Sequence, residues 1–315
     1  MNKVAIVGCG NVGMRYAYAL VMKGLARSVV ITDLDKKRLE GEVMDLSHGA
    51  PYISPVEIIA GDYPDMKDAE LVVITVGRKQ VPGQSRLELA KDNVDIYRKI
   101  IPQIVAYAPS AILLVVSNPV DVLAYAAYKL SGKPAREVIG SGTVLDTARF
   151  RFLLAEHCRI DPRNVHAYIL GEHGDSEFAA WSNATIGGMF LKNYCSLCGY
   201  NHTCRPAQEL GQIFDQVRDS AYKIIERKGE TSYGIGLSLV RITQAILHDE
   251  NAILPVSSLA EDYPGIGGDL YISLPAVVNK AGVRGVLKLE LSAQEQAALK
   301  NSAEAIQKVI KSTGL

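Results

Sequence analysis

Val4-Ala5-Ile6-Val7-Gly8-Cys9-Gly10-Asn11-Val12-Gly13 decides the fold. The apolar run Val4–Val7 predicts a buried strand, and the G-x-G-x-x-G after it predicts a turn that opens a helix. Gly8 permits the tight turn, Gly10 lets a diphosphate approach the backbone, and Gly13 allows close helix–sheet packing. Asn11 and Val12, between the last two glycines, complete the expected cofactor-binding set. A helix beginning here offers unpaired N–H groups to an anion. Asp33 stands 20 residues after Gly13, at the end of the second predicted strand. A carboxylate there suits the adenosine ribose hydroxyls and repels a 2′-phosphate, which favours NAD over NADP.

Working outward, the same tempo continues. Val29–Thr32, Ile58–Ala60, Leu71–Val76 and Ile112–Ser117 are short Val-, Ile- and Leu-rich runs. Near-continuous apolarity is what parallel strands covered on both faces require. Between them, Ala17, Leu20, Val21 and Gly24 share one helical face, and Leu87, Ala90, Val94, Tyr97 and Ile101 share another. Strand–helix–strand units predict an α/β fold with an N-terminal doubly wound parallel sheet of the Rossmann type. After about Gly140 the tempo changes. A helix over Leu145–His157, a strand over Val165–Leu170, a long helix from Ala207 to Arg227, hairpin-like runs (Asn251–Leu259, Tyr271–Val277, Gly285–Leu289) and a last helix over Ala293–Lys311 follow. These predict a C-terminal α+β substrate domain. The expected domains are therefore 1–140, for NAD, and 141–315, for substrate and catalysis.

Composition excludes several classes. The 315 residues hold 34 Lys plus Arg against 34 Asp plus Glu, so no basic surplus points to nucleic acid. The longest uncharged stretch, Ile100–Val120, contains Pro102, Pro109 and Pro119, which argues against a membrane span. Five cysteines, an odd number, do not read as a secreted disulfide framework. With no signal-peptide pattern ahead of the first strand, the expected location is cytoplasmic.

Chemistry concentrates in Gly171-Glu172-His173-Gly174-Asp175, where a histidine flanked by glycines follows a strand. Asp146 and Arg149, three apart on one helix, face the same side. A carboxylate fixing an imidazole tautomer beside a guanidinium fork suits proton transfer on a substrate that carries a carboxylate. The polar segment Gly77–Arg86 has the composition of a loop that closes over substrate. Asn118, ending a strand, falls where doubly wound sheets place ligands. Tyr125 and Lys129 have the Tyr-x-x-x-Lys spacing of short-chain dehydrogenases, but on an Ala-rich helix Tyr125 reads as packing.

Taken in order, the glycine turn, Ser117-Asn118-Pro119-Val120, Leu145-Asp146-Thr147-Ala148-Arg149 and Gly171–Asp175 resemble the lactate/malate dehydrogenase family over essentially the whole chain. The resemblance implies hydride exchange between a 2-hydroxy acid and NAD. It makes His173 the proton donor and acceptor, Asp146 its orienting carboxylate, Arg149 the grip on the substrate carboxylate and Arg86 the group that polarises the ketone. It also implies Asn118 beside substrate and nicotinamide, Thr231 in the substrate pocket and Ile235 against the nicotinamide. Gln80 falls where the family discriminates substrates, and malate enzymes there carry an arginine for the second carboxylate. A neutral Gln offers no such counter-charge, so L-lactate with pyruvate is the expected pair. Malate and branched-chain 2-hydroxy acids are the alternatives. A non-catalytic NAD-binding sensor or scaffold would retain Asp33 and the glycines but has no need of His173, Asp146, Arg149 and Arg86 together.

The resemblance further implies a homo-oligomer, dimeric or tetrameric. It matches Arg151 and His166 to positions that bind fructose 1,6-bisphosphate between subunits in allosteric members. Cys195, Cys198, His202 and Cys204 could ligate zinc, but the single residue between His202 and Cys204 is tighter than common zinc spacings, so no metal is expected. Cys9 is expected to fill space rather than react.

Overall fold

The computed structural model describes residues 2–78, 86–197 and 206–315, the side chains at 86, 195–197 and 206–208 excepted. The first half runs β1 (Lys3–Val7), α1 (Asn11–Met22), β2 (Ser28–Thr32), α2 (Lys36–His48), β3 (Glu57–Ala60), β4 (Leu71–Ile74), α3 (Arg86–Tyr107), β5 (Ile112–Val115), α4 (Val120–Ser131) and β6 (Val138–Gly140). These six strands are parallel in the order β3-β2-β1-β4-β5-β6, so the order reverses between β1 and β4. That reversal leaves a crevice at the carboxyl end of β1, where doubly wound sheets bind ligands.

Alternate residues of each strand feed two different cores. Val4, Ile6, Leu71 and Val73 pack with α1, α2 and a helix of the second half through its Leu239, Ile242 and Ile246. Ala5, Val7, Val72 and Ile74 pack with α3 and α4. Burial on both faces explains why these strands read as unbroken apolar runs.

The second half continues with α5 (Val144–Cys158), β7 (Val165–His166), β8 (Ile169–Leu170), β9 (Phe178–Ala179), β10 (Thr185–Ile186), β11 (Met189–Phe190), α6 (Leu191–Leu197), α7 (Pro206–Lys228), α8 (Tyr233–Leu247), β12 (Ala252–Leu259), β13 (Tyr271–Asn279), β14 (Gly282–Val286) and α9 (Ala293–Ser312). Residues on both sides of position 140 build one sheet. β12, β13 and β14 extend it antiparallel beyond β6, giving nine strands among the described residues. The joint is a single pair, Ser257 with Gly140. A Cβ on Gly140 would stand 2.8 Å from that of Ser257, so only glycine lets the strands meet there.

The strand expected over Val165–Leu170 is two short strands in different sheets, because α5 takes the backbone groups between its ends. Thr147 Oγ1 accepts the Ile169 N–H at 2.9 Å, and Thr143 donates its hydroxyl to the Ile169 carbonyl at 2.6 Å. The run expected over Gly285–Leu289 pairs instead over Gly282–Val286, after a register shift at Val277/Val278. Among the described residues no helix is long and apolar enough to cross a membrane.

After β8 the chain makes one bridge to the main sheet. Gly171 and Ser273 exchange both backbone hydrogen bonds at 3.0 Å. Gly171 holds φ at +98°, and a Cβ there would lie 2.5 Å from Ser302 Oγ of α9. Gly171→Ala combines left-handed strain with that clash, and about 1–3 kcal/mol of destabilisation is expected. A lowered Tm in thermal unfolding checks it; an unchanged Tm would show that position 171 does not require glycine.

Candidate active site

The bridge at Gly171 delivers His173 to a cavity of about 290 Å³, near the small end of the ~300–1,000 Å³ common for ligand pockets. Asn118, Asp146, Arg149, His173, Glu177 and Arg218 contribute to its lining. His173 Nδ1 lies 2.6 Å from Asp146 Oδ2, and Arg149 Nη1 donates to Asp146 Oδ1 at 2.7 Å. The 3.6-residue helical repeat explains why Asp146 and Arg149 of α5 reach one point. With Nδ1–H directed at the carboxylate, Nε2 is the nitrogen left for substrate chemistry.

Burial works against charge on His173, but Asp146, with lesser help from Glu177 and Asp121, outweighs it and raises the imidazole to about 9. Burial likewise opposes ionisation of Asp146, but His173 and then Arg149 hold its carboxyl below the ordinary value. The resting pair is therefore imidazolium and carboxylate at neutral pH.

Two acids that single-sequence reading misses complete the surroundings. Asp121, on α4, is 2% exposed and accepts the backbone N–H of His173 at 2.8 Å. It also accepts the Ser273 hydroxyl at 3.3 Å. Burial pushes its carboxyl up to about 6. Its only sequence signal is its place two residues after Pro119. Glu177, 7% exposed, is pushed by burial and by the charge of Asp146 up to about 8, against His173, Arg149 and Arg218. It stands four residues past His173 in a glycine-containing turn, a pattern that does not reveal burial.

The dinucleotide turn is built as expected. Gly8 has φ +111°, and a Cβ on it would meet Thr75 Oγ1 at 2.7 Å. A Cβ on Gly13 would lie 2.1 Å from the Gly8 carbonyl oxygen. Gly10 has nothing within 4 Å of the position its Cβ would take, so no packing contact in the chain demands glycine there. That open cradle, at the uncapped start of α1 with no acidic residue in the first turn, fits a diphosphate. Asn11 and Val12 begin α1 and are half-buried beside it.

Asp33 Oδ2 accepts the Cys9 N–H at 2.7 Å, tying the end of β2 to the turn. Burial opposes its ionisation, but backbone N–H groups of Cys9, Asp35 and Leu34 outweigh it and hold the carboxyl below its ordinary value. These residues fit NAD on the geometry of the turn and its acidic partner. Cys9 is 1% exposed, and burial followed by Asp33 pushes its thiol up to about 11, consistent with packing.

The remaining expectations sort by position. Asn118 accepts a hydrogen bond from the buried Asn93 at 2.8 Å through its carbonyl. Asn93 also accepts the Arg78 N–H at 2.7 Å, and the Arg78 guanidinium turns to Asp92 at 3.3 Å. Arg86 opens α3, but its side chain, like Gln80, lies outside the described residues. Thr231 is half-buried on the segment before α8, and Ile235 of α8 packs against the core that carries α1. Neither lines the His173 cavity. Arg151 donates to the Ala167 carbonyl at 3.0 Å and stacks 5.2 Å from Tyr168, while His166 is exposed on β7. Tyr125 donates to Asp269 at 3.1 Å, and Lys129 pairs with the same carboxylate, apart from the site. The side chains of Cys195, Cys198, His202 and Cys204 lie outside the described residues.

A parallel sheet with a glycine turn at its switch point, and an acid–base histidine anchored on the same sheet, define a dinucleotide-dependent dehydrogenase. Comparison narrows this. Residues 2–140 match the family described as lactate/malate dehydrogenase, NAD binding domain, and residues 143–314 match its alpha/beta C-terminal domain. The chain belongs to the lactate/malate dehydrogenase family. It is 49% identical over 311 residues to the L-lactate dehydrogenase of Thermoanaerobacter pseudethanolicus, covering 98% of each chain. Against the L-lactate dehydrogenase of Priestia megaterium it is 49% identical over 302 residues, 96% of this chain and 93% of that one. Among solved structures, a lactate dehydrogenase from a Medee basin deep-sea metagenome library superposes with TM-score 0.96 at 48% identity, covering 100% of this chain and 99% of that one. The minor L-lactate dehydrogenase of Enterococcus mundtii gives 0.92 at 42% identity, covering 98% of both chains.

Asp146→Asn leaves burial to act on His173 with far less opposing charge. Its imidazole is expected to fall from about 9 toward or below 6.5, followed by NMR titration of the ring. In the unaltered protein the raised value means the pair stabilises the fold fully below about 6.5 and loses that contribution as pH rises through about 9. An unshifted His173 in the variant would remove Asp146 as the cause.

Proposed function

We propose that the chain interconverts pyruvate and L-lactate with NAD(H). The observation that carries this reading is the imidazolium–carboxylate pair of His173 and Asp146 beside Arg149 in one small cavity. Curated relatives at 46–49% identity over nearly the full length support the lactate assignment. So does the neutral Gln80, which lacks a charge to pair a second carboxylate.

In this reading Gly8, Gly10, Asn11, Val12 and Gly13 hold the cofactor diphosphate and Asp33 the adenosine ribose. When bound, the nicotinamide supplies hydride exchange with the 2-carbon of the acid. Arg149 grips the substrate carboxylate while its ion pair with Asp146 fixes the guanidinium. His173, protonated below about pH 9, gives its Nε2 proton to the ketone oxygen, and Asp146 holds the ring so that the proton is aimed. In the reverse direction neutral His173 takes the hydroxyl proton, and Asp146 stabilises the imidazolium that forms. Arg86 polarises the carbonyl and Asn118 positions the oxygen. The family resemblance assigns Thr231 to the substrate side and Ile235 to the nicotinamide side, although neither lines the His173 cavity.

Assembly and regulation extend the same reading. Tyr18, Met22, Met44, Tyr52 and Leu237 are 56–89% exposed on or beside α1, α2 and α8, an apolar face of the kind that subunits cover. A homo-oligomer is therefore proposed, with Arg151 and His166 as a fructose 1,6-bisphosphate site between subunits. Pyruvate saturation with and without the bisphosphate near pH 6 tests the effector; an unmoved KM and oligomer distribution would remove it.

The primary test is a substrate panel with NADH. Pyruvate is expected to exceed oxaloacetate and branched 2-oxo acids in kcat/KM, and comparable or better turnover of oxaloacetate would reverse the assignment. His173→Asn should lower turnover by about 10²–10⁴-fold while NADH still binds. Gln80→Arg should shift the preference toward oxaloacetate, because it supplies the missing counter-charge.

A further inference from the structure

Three acid–base side chains meet at one point of the cavity. One nitrogen or oxygen each from Asp146, His173 and Glu177 lie within 4.8 Å of one another, and Asp146 and Glu177 are both buried. Asp146 is engaged on both oxygens, by Arg149 and by His173. Glu177 reaches the same point from the turn closed by its own N–H on the Gly174 carbonyl at 3.2 Å.

The groups facing it are already committed. On its own loop, Glu172 holds the Ser176 hydroxyl, and Asp175 accepts the Tyr222 hydroxyl of α7 at 3.1 Å. Arg218 of α7 is 40% exposed and pairs with Asp215 at 3.1 Å. Arg149 on α5 serves Asp146, and Asp121 on α4 holds the His173 backbone.

Two buried carboxyls that share their cationic partners cannot both ionise cheaply. Asp146, with the direct bonds, keeps the charge, and Glu177 keeps a proton. Around neutral Glu177 the buried groups then balance, Asp146 and Asp121 against His173 and Arg149. A substrate carboxylate adds one negative charge to that balance. If Glu177 ionises, a second negative charge is added in the same buried place, which is costly.

We propose that Glu177 is a positioning residue for substrate charge: protonated, it keeps a further negative charge out of the cavity, and losing that proton closes the site to anionic substrate. This rests on the pyruvate reading above. Pyruvate reduction then needs two protons held on the free enzyme, one on Glu177 and one on His173, raised to about 8 and about 9 by the causes given above. The two groups titrate as a pair, because a Glu177 carboxylate also favours the neighbouring imidazolium.

The test measures kcat/KM for pyruvate with NADH across the alkaline range in the wild-type enzyme and in Glu177→Gln. Above both titrations the wild type is expected to lose about 100-fold per pH unit, the two-proton limit, and Glu177→Gln about 10-fold. A purely structural role would not change that slope. In parallel, carboxyl and imidazole NMR titrations of the substrate-free protein should show Glu177 titrating near 8 in the wild type, and His173 moving down in Glu177→Gln. A one-proton limb in the wild type, a Glu177 titration in the ordinary carboxyl range, or an unchanged slope with an unchanged His173 in the variant would each overturn the proposal. The NMR titrations need no turnover, so a failed pyruvate assay would sink the substrate reading while still deciding the state of Glu177.

Discussion

The hydrogen bond between Asp146 and His173 is short, largely buried and useful only if both ends are held. A buried ion pair is weak support for stability in itself, since desolvation offsets much of the attraction. Its value here is in fixing one tautomer and one direction for the ring. Asp146 is held by Arg149, one helical turn along α5, and His173 is held through its backbone by Asp121 of α4. Asp121 in turn binds Ser273, whose own backbone bridges Gly171 two residues before the histidine. Two helices and a strand therefore converge on one imidazole.

Much of this was legible where the chemistry is contiguous in the chain. The glycine turn, Asp33, the helix pair Asp146 and Arg149, and the loop around His173 each carry their meaning within a few residues, because backbone geometry and helical spacing are local rules. The parallel strands were legible for a related reason: burial on both faces writes itself as an unbroken apolar run. Their ends were less so. Leu71–Val76 and Ile112–Ser117 pair only to Ile74 and Val115; beyond them Thr75 and Val76 turn against Gly8, and Ser117 donates its hydroxyl to the Val76 carbonyl at 2.6 Å.

What stayed hidden depends on contacts between distant segments. Asp121 lies 52 residues from His173, and nothing in Pro119-Val120-Asp121 indicates which N–H it will accept. The β6–β12 joint rests on Gly140 meeting Ser257, so a three-residue strand without periodicity decides that the antiparallel hairpins extend the first sheet. The break at Ala167–Tyr168 follows from side chains of α5 and its N-cap: Arg151 takes the Ala167 carbonyl, and Thr143 and Thr147 take the backbone groups of Ile169, contacts that no local pattern in the sequence announces. Glu177 shows the same limit in electrostatics: its composition is that of a surface acid, and only its neighbours make it a neutral one.

That continuous sheet explains how one frame can serve both halves of the reaction. The glycine turn springs from the carboxyl end of β1, and the histidine loop is bridged to β13 of the same sheet. The distance between a cofactor on that turn and a proton on His173 is therefore set by strand spacing and by the Gly140–Ser257 joint, both backbone quantities with little freedom. Productive geometry tolerates errors of only about 1 Å before rate falls steeply. A joint made between separately folded halves through side chains alone would leave that distance to softer contacts. Tying the histidine loop by a backbone bridge to the sheet that carries the glycine turn removes that source of error, and the Asp146–His173 bond then has only orientation left to supply.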